Sequence, residues 1–482
     1  MKNNHKSFLY ISGGSLLMLA ASFLVSQLDL PLLAGLLGVM AAGVLFALFL
    51  KKPLWGLVVM VFLLPLERIG SAELGGFTLR ASQIVAILMI VAYVWEQLAS
   101  RRFSFRKNPI ALPVLVFLIA NLFSFSNAVN IDRALQVFVF TLFVVLASFV
   151  VPQLVTRKKH VNLILKSLFA SAVLVSVFGL FQFMGDLVGV SPEITGLSDL
   201  YTKKVFGFPR VQSTALEPLY FANYLLLPLS IAAALLLSKL KKNTWFWLGL
   251  VLLLGLNLVM TLSRGGYLGA AAVVLVLAIV FWNRIFTFKN VMMYVAGAIV
   301  LISAASFLLS YSHNAREAVE TFQTQALNYQ EGASIIERQG TMSQALDVWK
   351  EHPYLGIGTG NFGPSVARNP LMAPDKGWLI ANNETVEILS ETGILGLASF
   401  VSILVVLFVR SIKAIRVCSD KRIKIILIGA FAAFAGIIVQ YQTFSTLYIL
   451  HIWFLFGFLV ALQNIALEPQ RATAETKNIQ NT

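Results

Sequence analysis

Apolar runs of membrane length recur along almost the whole chain and restrict its fold more than any single residue. A helix needs about 20 apolar residues to cross a bilayer. Such runs fall near residues 8–28, 30–50, 53–66, 79–99, 109–126, 133–155, 161–184, 219–238, 245–262, 266–283, 291–310, 384–409, 423–440 and 444–466, the third being short. The expectation is an all-α polytopic membrane protein with about 14 transmembrane helices (12–14). Composition agrees: the chain is 58% hydrophobic and 12% charged, with a mean hydropathy of +0.81, against about 25% charged residues in soluble domains. No small-residue cleavage site follows the first run, so it reads as retained rather than as a signal peptide.

The formal charge of +15 does not imply nucleic acid. If the N-terminus is inside, most of the 37 Lys and Arg fall in cytoplasmic segments. Only Glu96, Asp420, Glu468 and Glu475 of the acidic residues join them. This is the positive-inside pattern, and it places residues 311–383 outside. Cys418 makes no internal disulfide and has no nearby His for a metal site.

The segment Tyr311–Asn383 is the one long polar interruption. Long loops are usually functional or disordered. This one carries a helical pattern: Met342, Ala345, Leu346 and Trp349 share one face, predicting an amphipathic helix over 335–351 that Pro353 ends. A glycine-rich turn, Leu355 to Gly363, follows. The expected organisation is N-terminal helices (1–184), an outer loop (185–218), helices with a Ser263-Arg264-Gly265-Gly266 turn (219–310), the large outer loop (311–383), C-terminal helices (384–466) and a cytoplasmic tail (467–482). No internal repeat is visible.

Three arginines of outer segments are candidates: Arg210, Arg264 and Arg338. Each has an ordinary reading as an interfacial or solvated charge. An ionisable group at a span boundary is nevertheless a functional hypothesis, and guanidinium binds phosphate oxygens bidentately. Gly265 and Gly266 would let a ligand or another backbone come close. Glu384, Glu387 and Glu391 share a helix face, with Asn382 or Asn383 as N-cap. First-turn acids also complement the helix dipole, an explanation that fades by Glu391. Glu217 precedes Pro218 at a span start. His313 and His352 fit no metal-ligand spacing. The Gly356-to-Gly360 run lacks the context of a dinucleotide fingerprint.

At these residues the chain resembles the bacterial O-antigen ligase and O-antigen polymerase family. The ordered matches are Arg210 with Glu217-Pro218; Ser263-Arg264-Gly265-Gly266; Arg338; His352-Pro353-Tyr354 through Gly358, Gly360, Asn361 and Phe362; and Asn383 through Glu387, Glu391 and Gly393 to Leu397. Together they span about residues 210–397. The resemblance implies a metal-independent, membrane-embedded glycosyltransferase (GT-C-like) that uses no cofactor. Its donor would be glycan on undecaprenyl pyrophosphate, at the outer face of the bacterial cytoplasmic membrane. It also implies that Arg210, Arg264 and Arg338 hold the pyrophosphate. Family ligases usually carry His just before the Asn of the last motif; here that position is Asn382, which cannot act as a base. Glu387, Glu391 or His352 would assist, or the acceptor attacks with little base help. Substrate-binding candidates are Glu217, Gly265, Gly266, His352, Tyr354, Gly358, Gly360, Asn361, Asn382 and Asn383, with Tyr354, Phe362 and Trp378 lining the sugar path.

The expected function is polymerisation of lipid-linked repeat units into a surface polysaccharide, alongside a chain-length regulator and a flippase. Transfer of the glycan to a lipid, protein or wall acceptor is the alternative within the family. A lipid-linked oligosaccharide flippase is the alternative from another class; it would show repeat symmetry and would not need the large loop.

Overall fold

A computed structural model describes residues 42–69, 72–74, 77–101, 105–202, 208–238, 240, 243–287, 333–374, 377–445 and 447–480. The runs expected at 8–28 and 291–310, most of that at 30–50, His313, and the large polar segment before residue 333 lie outside the described residues.

The described apolar runs are helices. In chain order they are α1 (Ala42–Lys51), α2 (Pro53–Leu63), α3 (Ala81–Ser100), α4 (Ala111–Ser124), α5 (Ile131–Leu154), α6 (Lys158–Leu187), the short α7 (Pro192–Thr195), α8 (Pro218–Ser238), α9 (Thr244–Met260), α10 (Arg264–Val280), the short α11 (Trp282–Ile285), α12 (Ala333–Glu351), α13 (Phe362–Val366), α14 (Glu384–Val417), α15 (Lys421–Gln440) and α16 (Leu450–Gln480). Among the described residues, seven helices are long and apolar enough to cross a membrane, and five shorter ones are apolar. One element departs from the all-α expectation. Ala72–Leu74 (β1) and Phe77–Leu79 (β2) pair antiparallel, with Ala72 opposite Leu79. The sequence between them is Gly75-Gly76, a pair that two-residue hairpins favour.

Local chemistry sets several helix starts. Asn130 caps α5 by accepting from Arg133 N–H, and Asp420 caps α15 by accepting from two backbone N–H groups. Ser263 caps α10 and Asn383 caps α14, so each motif residue opens a helix. The predicted amphipathic helix is present as α12. Its Ala345 is buried, Met342, Leu346 and Trp349 are half-buried, and the opposite face is exposed.

The centre of the bundle is α16, packed against α5, α15 and α14, while α8 packs on α15. The protein itself buries 94% of the membrane-length stretch of α16 and 78% of that of α8. Peripheral α4 leaves Leu112, Leu115 and Phe123 exposed, an apolar face suited to lipid. Close approach between helices relies on small residues. A methyl group on Gly436 of α15 would lie 2.8 Å from the Gly269 carbonyl of α10, and one on Gly429 would lie 2.6 Å from Ile231 Cα of α8.

Helix α14 is not continuous. Gly393 has φ 63° and ψ −168° within it, a conformation that glycine tolerates and other residues resist. Its near half carries the three glutamates and its far half the apolar run.

Candidate functional site

Two groups of polar residues stand out. The first gathers around Arg210 and Glu217. The chain before α8 is fixed by backbone bonds: Arg210 N–H donates to Tyr201 O at 2.8 Å, and Val211 N–H to Met260 O at 2.9 Å. The Arg210 guanidinium lies over the Tyr201 ring, 5.6 Å from its centroid, and its Nε–H donates weakly to Thr261 O at 3.5 Å. Thr261 is three residues before Arg264, so this contact ties the Arg210 loop to the α9–α10 turn. Arg338 on α12 reaches the same neighbourhood, with Nη1 3.5 Å from Thr443 O.

Charge links these residues. Burial pulls the Arg210 guanidinium below its usual range, Tyr201 and Glu217 push it back up, and Arg338 lowers it further. Burial pushes the Glu217 carboxyl up, and Arg210 and Arg338 hold it down. Burial likewise raises the Tyr201 phenol. The fold thus brings Arg210, Arg338 and Glu217 within electrostatic reach and places the Arg264 turn beside them. Arg210 and Arg338 against the single carboxylate of Glu217 leave this place positive.

The two glycines after Arg264 serve packing. A methyl group on Gly265 would sit 2.5 Å from Thr443 Oγ1, and one on Gly266 would sit 2.6 Å from Ala222 Cβ. Their missing side chains admit Thr443 and Ala222, and Arg264 is exposed at the first turn of α10. Leu262, just before it, has φ 47°, a costly backbone for a bulky residue.

The second group surrounds the break in α14. The glycine-rich turn supplies what the broken helix lacks. Ile357 N–H donates to Ser390 O at 3.1 Å, Gly358 N–H to Glu391 O at 2.9 Å, and Ile394 N–H to Pro353 O at 2.9 Å. Gly356, Gly358 and Gly360 all have positive φ. Methyl groups there would strike Glu391 backbone atoms, Ala128 and Val137 within 2.7 Å. The turn also docks on the α4–α5 corner. Asn361 Oδ1 accepts from Asn130 N–H at 2.7 Å, Asn361 Nδ2 donates to Asn130 O at 3.1 Å, Asn127 Nδ2 donates to Gly356 O at 2.9 Å, and Thr359 bonds Ser124 and Asn121.

The glutamates of α14 act as anchors. Glu384 Oε2 accepts from Leu447 N–H at 2.8 Å. Glu387 Oε2 accepts from Ala381 N–H at 2.8 Å and from the Ser445 hydroxyl. Glu391 Oε1 accepts from Phe362 N–H at 3.2 Å. Asn383 Oδ1 caps the helix through Val386 N–H at 3.1 Å. Asn382 has φ 57°, a left-handed backbone that Asn adopts more readily than most residues. Its amide donates to Thr341 Oγ1 at 3.4 Å and Ile380 O at 3.3 Å. Of the expected sugar-path aromatics, Tyr354 is 72% exposed, whereas Phe362 is buried in a small core with Ala345 and Ala381. Trp378 is half-buried. His352 is half-buried, its N–H bonded to Trp349 O at 3.0 Å.

Sequence reading passed over several polar residues. His451 at the start of α16 is bonded to Asn223 at 2.7 Å, and Asn223 Nδ2 donates to Gln440 Oε1 at 2.6 Å. This buried chain ties α16, α8 and α15 just behind the loops that feed both groups. Arg80 and Arg133 each bury an Nε without a hydrogen-bond partner among the described residues. The signal was available: each is an arginine beside an apolar run, the feature that singled out Arg264. Among the described residues, no set of three or more His, Cys, Asp or Glu could hold a metal ion.

Comparison with known families matches residues 248–401 to the family described as O-Antigen ligase. That stretch includes Arg264, Arg338, the glycine-rich turn and the glutamates of α14, and it omits Arg210, Glu217 and Arg80. No curated protein matches the chain.

Proposed function

We propose that the chain, whose residues 248–401 match the O-Antigen ligase family, transfers glycan and polymerises undecaprenyl-pyrophosphate-linked repeat units at the outer face of the cytoplasmic membrane. The observation that carries this reading is the gathering of Arg210 and Arg338 around Glu217, with the turn before Arg264 tied to the Arg210 loop through Thr261. Bidentate guanidinium groups suit a pyrophosphate. They also stabilise the charge that develops on it as it leaves, usually the largest catalytic term. This arrangement supplies the charge stabilisation without a metal ion.

In the reaction, a sugar hydroxyl of one lipid-linked unit attacks the anomeric carbon of another. The bond from that carbon to the pyrophosphate oxygen breaks, undecaprenyl pyrophosphate departs, and the hydroxyl proton passes to water. Glu387 and Glu391 act as anchors in this scheme: Glu387 Oε2 accepts from Ala381 N–H and the Ser445 hydroxyl, and Glu391 Oε1 accepts from Phe362 N–H. The acceptor attacks with little base help.

The family description favours a second reading, transfer to a foreign acceptor, and the same arginines would serve it. Purified protein in nanodiscs, supplied with lipid-linked repeat units alone, distinguishes the two. A ladder of products supports polymerisation. Transfer only when a foreign acceptor is added supports ligation. Translocation of the substrate with no new glycosidic bond rejects both and leaves a flippase.

A further inference from the structure

The connection from α15 to α16 is where two of the arginine-bearing elements meet. Thr443 O accepts from Arg338 Nη1 of α12 at 3.5 Å. A methyl group on Gly265, the residue after Arg264, would sit 2.5 Å from Thr443 Oγ1. Thr443 thus touches both α12 and the first turn of α10. A tight turn fixes it and the residue before it: Gln442 N–H donates to Val439 O at 3.1 Å, and Thr443 N–H to Gln440 O at 2.9 Å. Consecutive Cα atoms lie about 3.8 Å apart, so Gln442 stands one residue from the Arg338 contact. It is exposed, and it lies outside the stretch 248–401 that matches the ligase family.

Docking of this connection on α14 does not depend on the Gln442 side chain. Glu384 N–H donates to Tyr441 O at 2.8 Å, and Glu384 Oε2 accepts from Leu447 N–H at 2.8 Å. Asn383 caps α14 with its Oδ1 and reaches Gln442 O with its Nδ2 at 3.3 Å. The Gln442 amide itself rests at the exposed edge. Its Nε2 donates to Thr385 Oγ1 at 3.0 Å. Its Oε1 has only distant donors, Thr385 Oγ1 at 3.4 Å and Asn383 Nδ2 at 3.5 Å, both long for hydrogen bonds. A primary amide carries two N–H donors and an oxygen with two lone pairs, so this one keeps a donor and an acceptor for a ligand. Thr385, half-buried beside it, adds a hydroxyl. Sugar hydroxyls both donate and accept, and an accessible amide next to a hydroxyl answers both needs.

We propose that Gln442, with Thr385, binds hydroxyl groups of the sugar attached directly to the donor pyrophosphate, and that this pair selects the repeat unit by that sugar. A pyrophosphate held by Arg338 at the Thr443 contact brings its own first sugar beside Gln442. This inference rests on the reading of the chain as a transferase of pyrophosphate-linked glycan, and it adds the sugar subsite to the pyrophosphate site.

The test is initial-rate kinetics of the full chain in nanodiscs. The donors are the undecaprenyl-pyrophosphate-linked repeat unit and analogues that each lack one hydroxyl on the sugar next to the pyrophosphate. Wild-type protein should lose about three- to tenfold in kcat/KM on at least one analogue, the scale of one hydrogen bond. Gln442→Ala should lose a similar factor on the complete donor and lose no more on that analogue, because the bond is already absent. Its melting temperature should match wild type, as for other exposed substitutions. Thr385→Val should give a smaller loss of the same kind, and Thr385→Ser, which restores a hydroxyl, should recover most of it. A merely structural role would lower activity by the same factor on every donor, and that result overturns the proposal. So does a wild-type protein that uses all analogues equally. If wild type forms no glycosidic bond at all, the transferase reading fails and the inference falls with it. If wild type is active and Gln442→Ala discriminates among the analogues as wild type does, only the inference fails.

Discussion

The arginine gathering and the break in α14 are both polar and built from motif residues, yet they are organised in opposite ways. Around the break, the glycine-rich turn, the three glutamates and the α4–α5 corner engage one another through a dense set of hydrogen bonds. Around Glu217, the same-sign charges of Arg210 and Arg338 are drawn together; the Arg210 guanidinium lies over an aromatic ring, and its Nε–H makes a long bond to Thr261 O. Folding favours satisfied polar groups, so the first arrangement is what stability alone would produce. The second concentrates positive charge against stability, which is what binding a polyanion requires. Motif membership therefore does not separate the chemical residues from the structural ones.

Four experiments would break or sharpen that contrast. The largest effect is expected for Arg264→Ala and Arg210→Ala. Each should cut chain growth by about 10²–10³-fold or more, in line with the loss of a group that stabilises transition-state charge. Protein level and melting temperature should stay at wild-type values, and full-length polymer from Arg264→Ala would refute its role. Next is Gly393→Ala. Its φ of 63° and a methyl group 2.2 Å from Tyr354 O should cost about 3 kcal/mol or more. Yield and thermal stability should fall while activity per folded molecule holds, and an unchanged melt would mean the break is not a fixed element.

The third effect is smaller and depends on pH. Burial raises the Glu217 carboxyl, with the arginines opposing, so it takes up a proton at a higher pH than an ordinary carboxylate would. As pH falls through that range the site loses one negative charge, and the donor KM should fall severalfold. Glu217→Gln should show the low-pH KM throughout; a wild-type pH dependence that survives in it would assign the titration to another group. The smallest effect is expected for Asn382→Gly. Glycine accepts φ 57° without strain, so turnover should stay within about twofold and stability within about 1 kcal/mol. A large loss of turnover would move Asn382 from the scaffold to the chemistry.

Much of this architecture was legible in the residues. The apolar runs locate the described helices because lipid demands length and apolarity and little else. The face formed by Met342, Ala345, Leu346 and Trp349 predicts α12, and Asn383 is the cap its spacing suggests. The purpose of the glycines was not legible. Gly265 and Gly266 look like an approach for ligand, but what approaches them is Thr443 and Ala222, residues distant in sequence. The glutamates of α14 read as candidate bases because spacing shows a shared face without showing what meets it. What meets them is the α15–α16 connection and the start of α13. Arg80 and Arg133 were legible in the same way as Arg264, each an arginine beside an apolar run.

The patch across the α14 break has a consequence for how the protein is made. Asn127, at the end of the α4–α5 corner, waits for the carbonyl of Gly356, 229 residues later in the chain. Thr359, 235 residues after its partner Ser124, arrives with it. A nascent chain therefore carries an open polar corner among its early helices through much of its synthesis. Closing contacts across so long a stretch is slow. A ribosome stalled before residue 356 would leave a product that quality-control proteases can recognise, although every early helix had already been inserted.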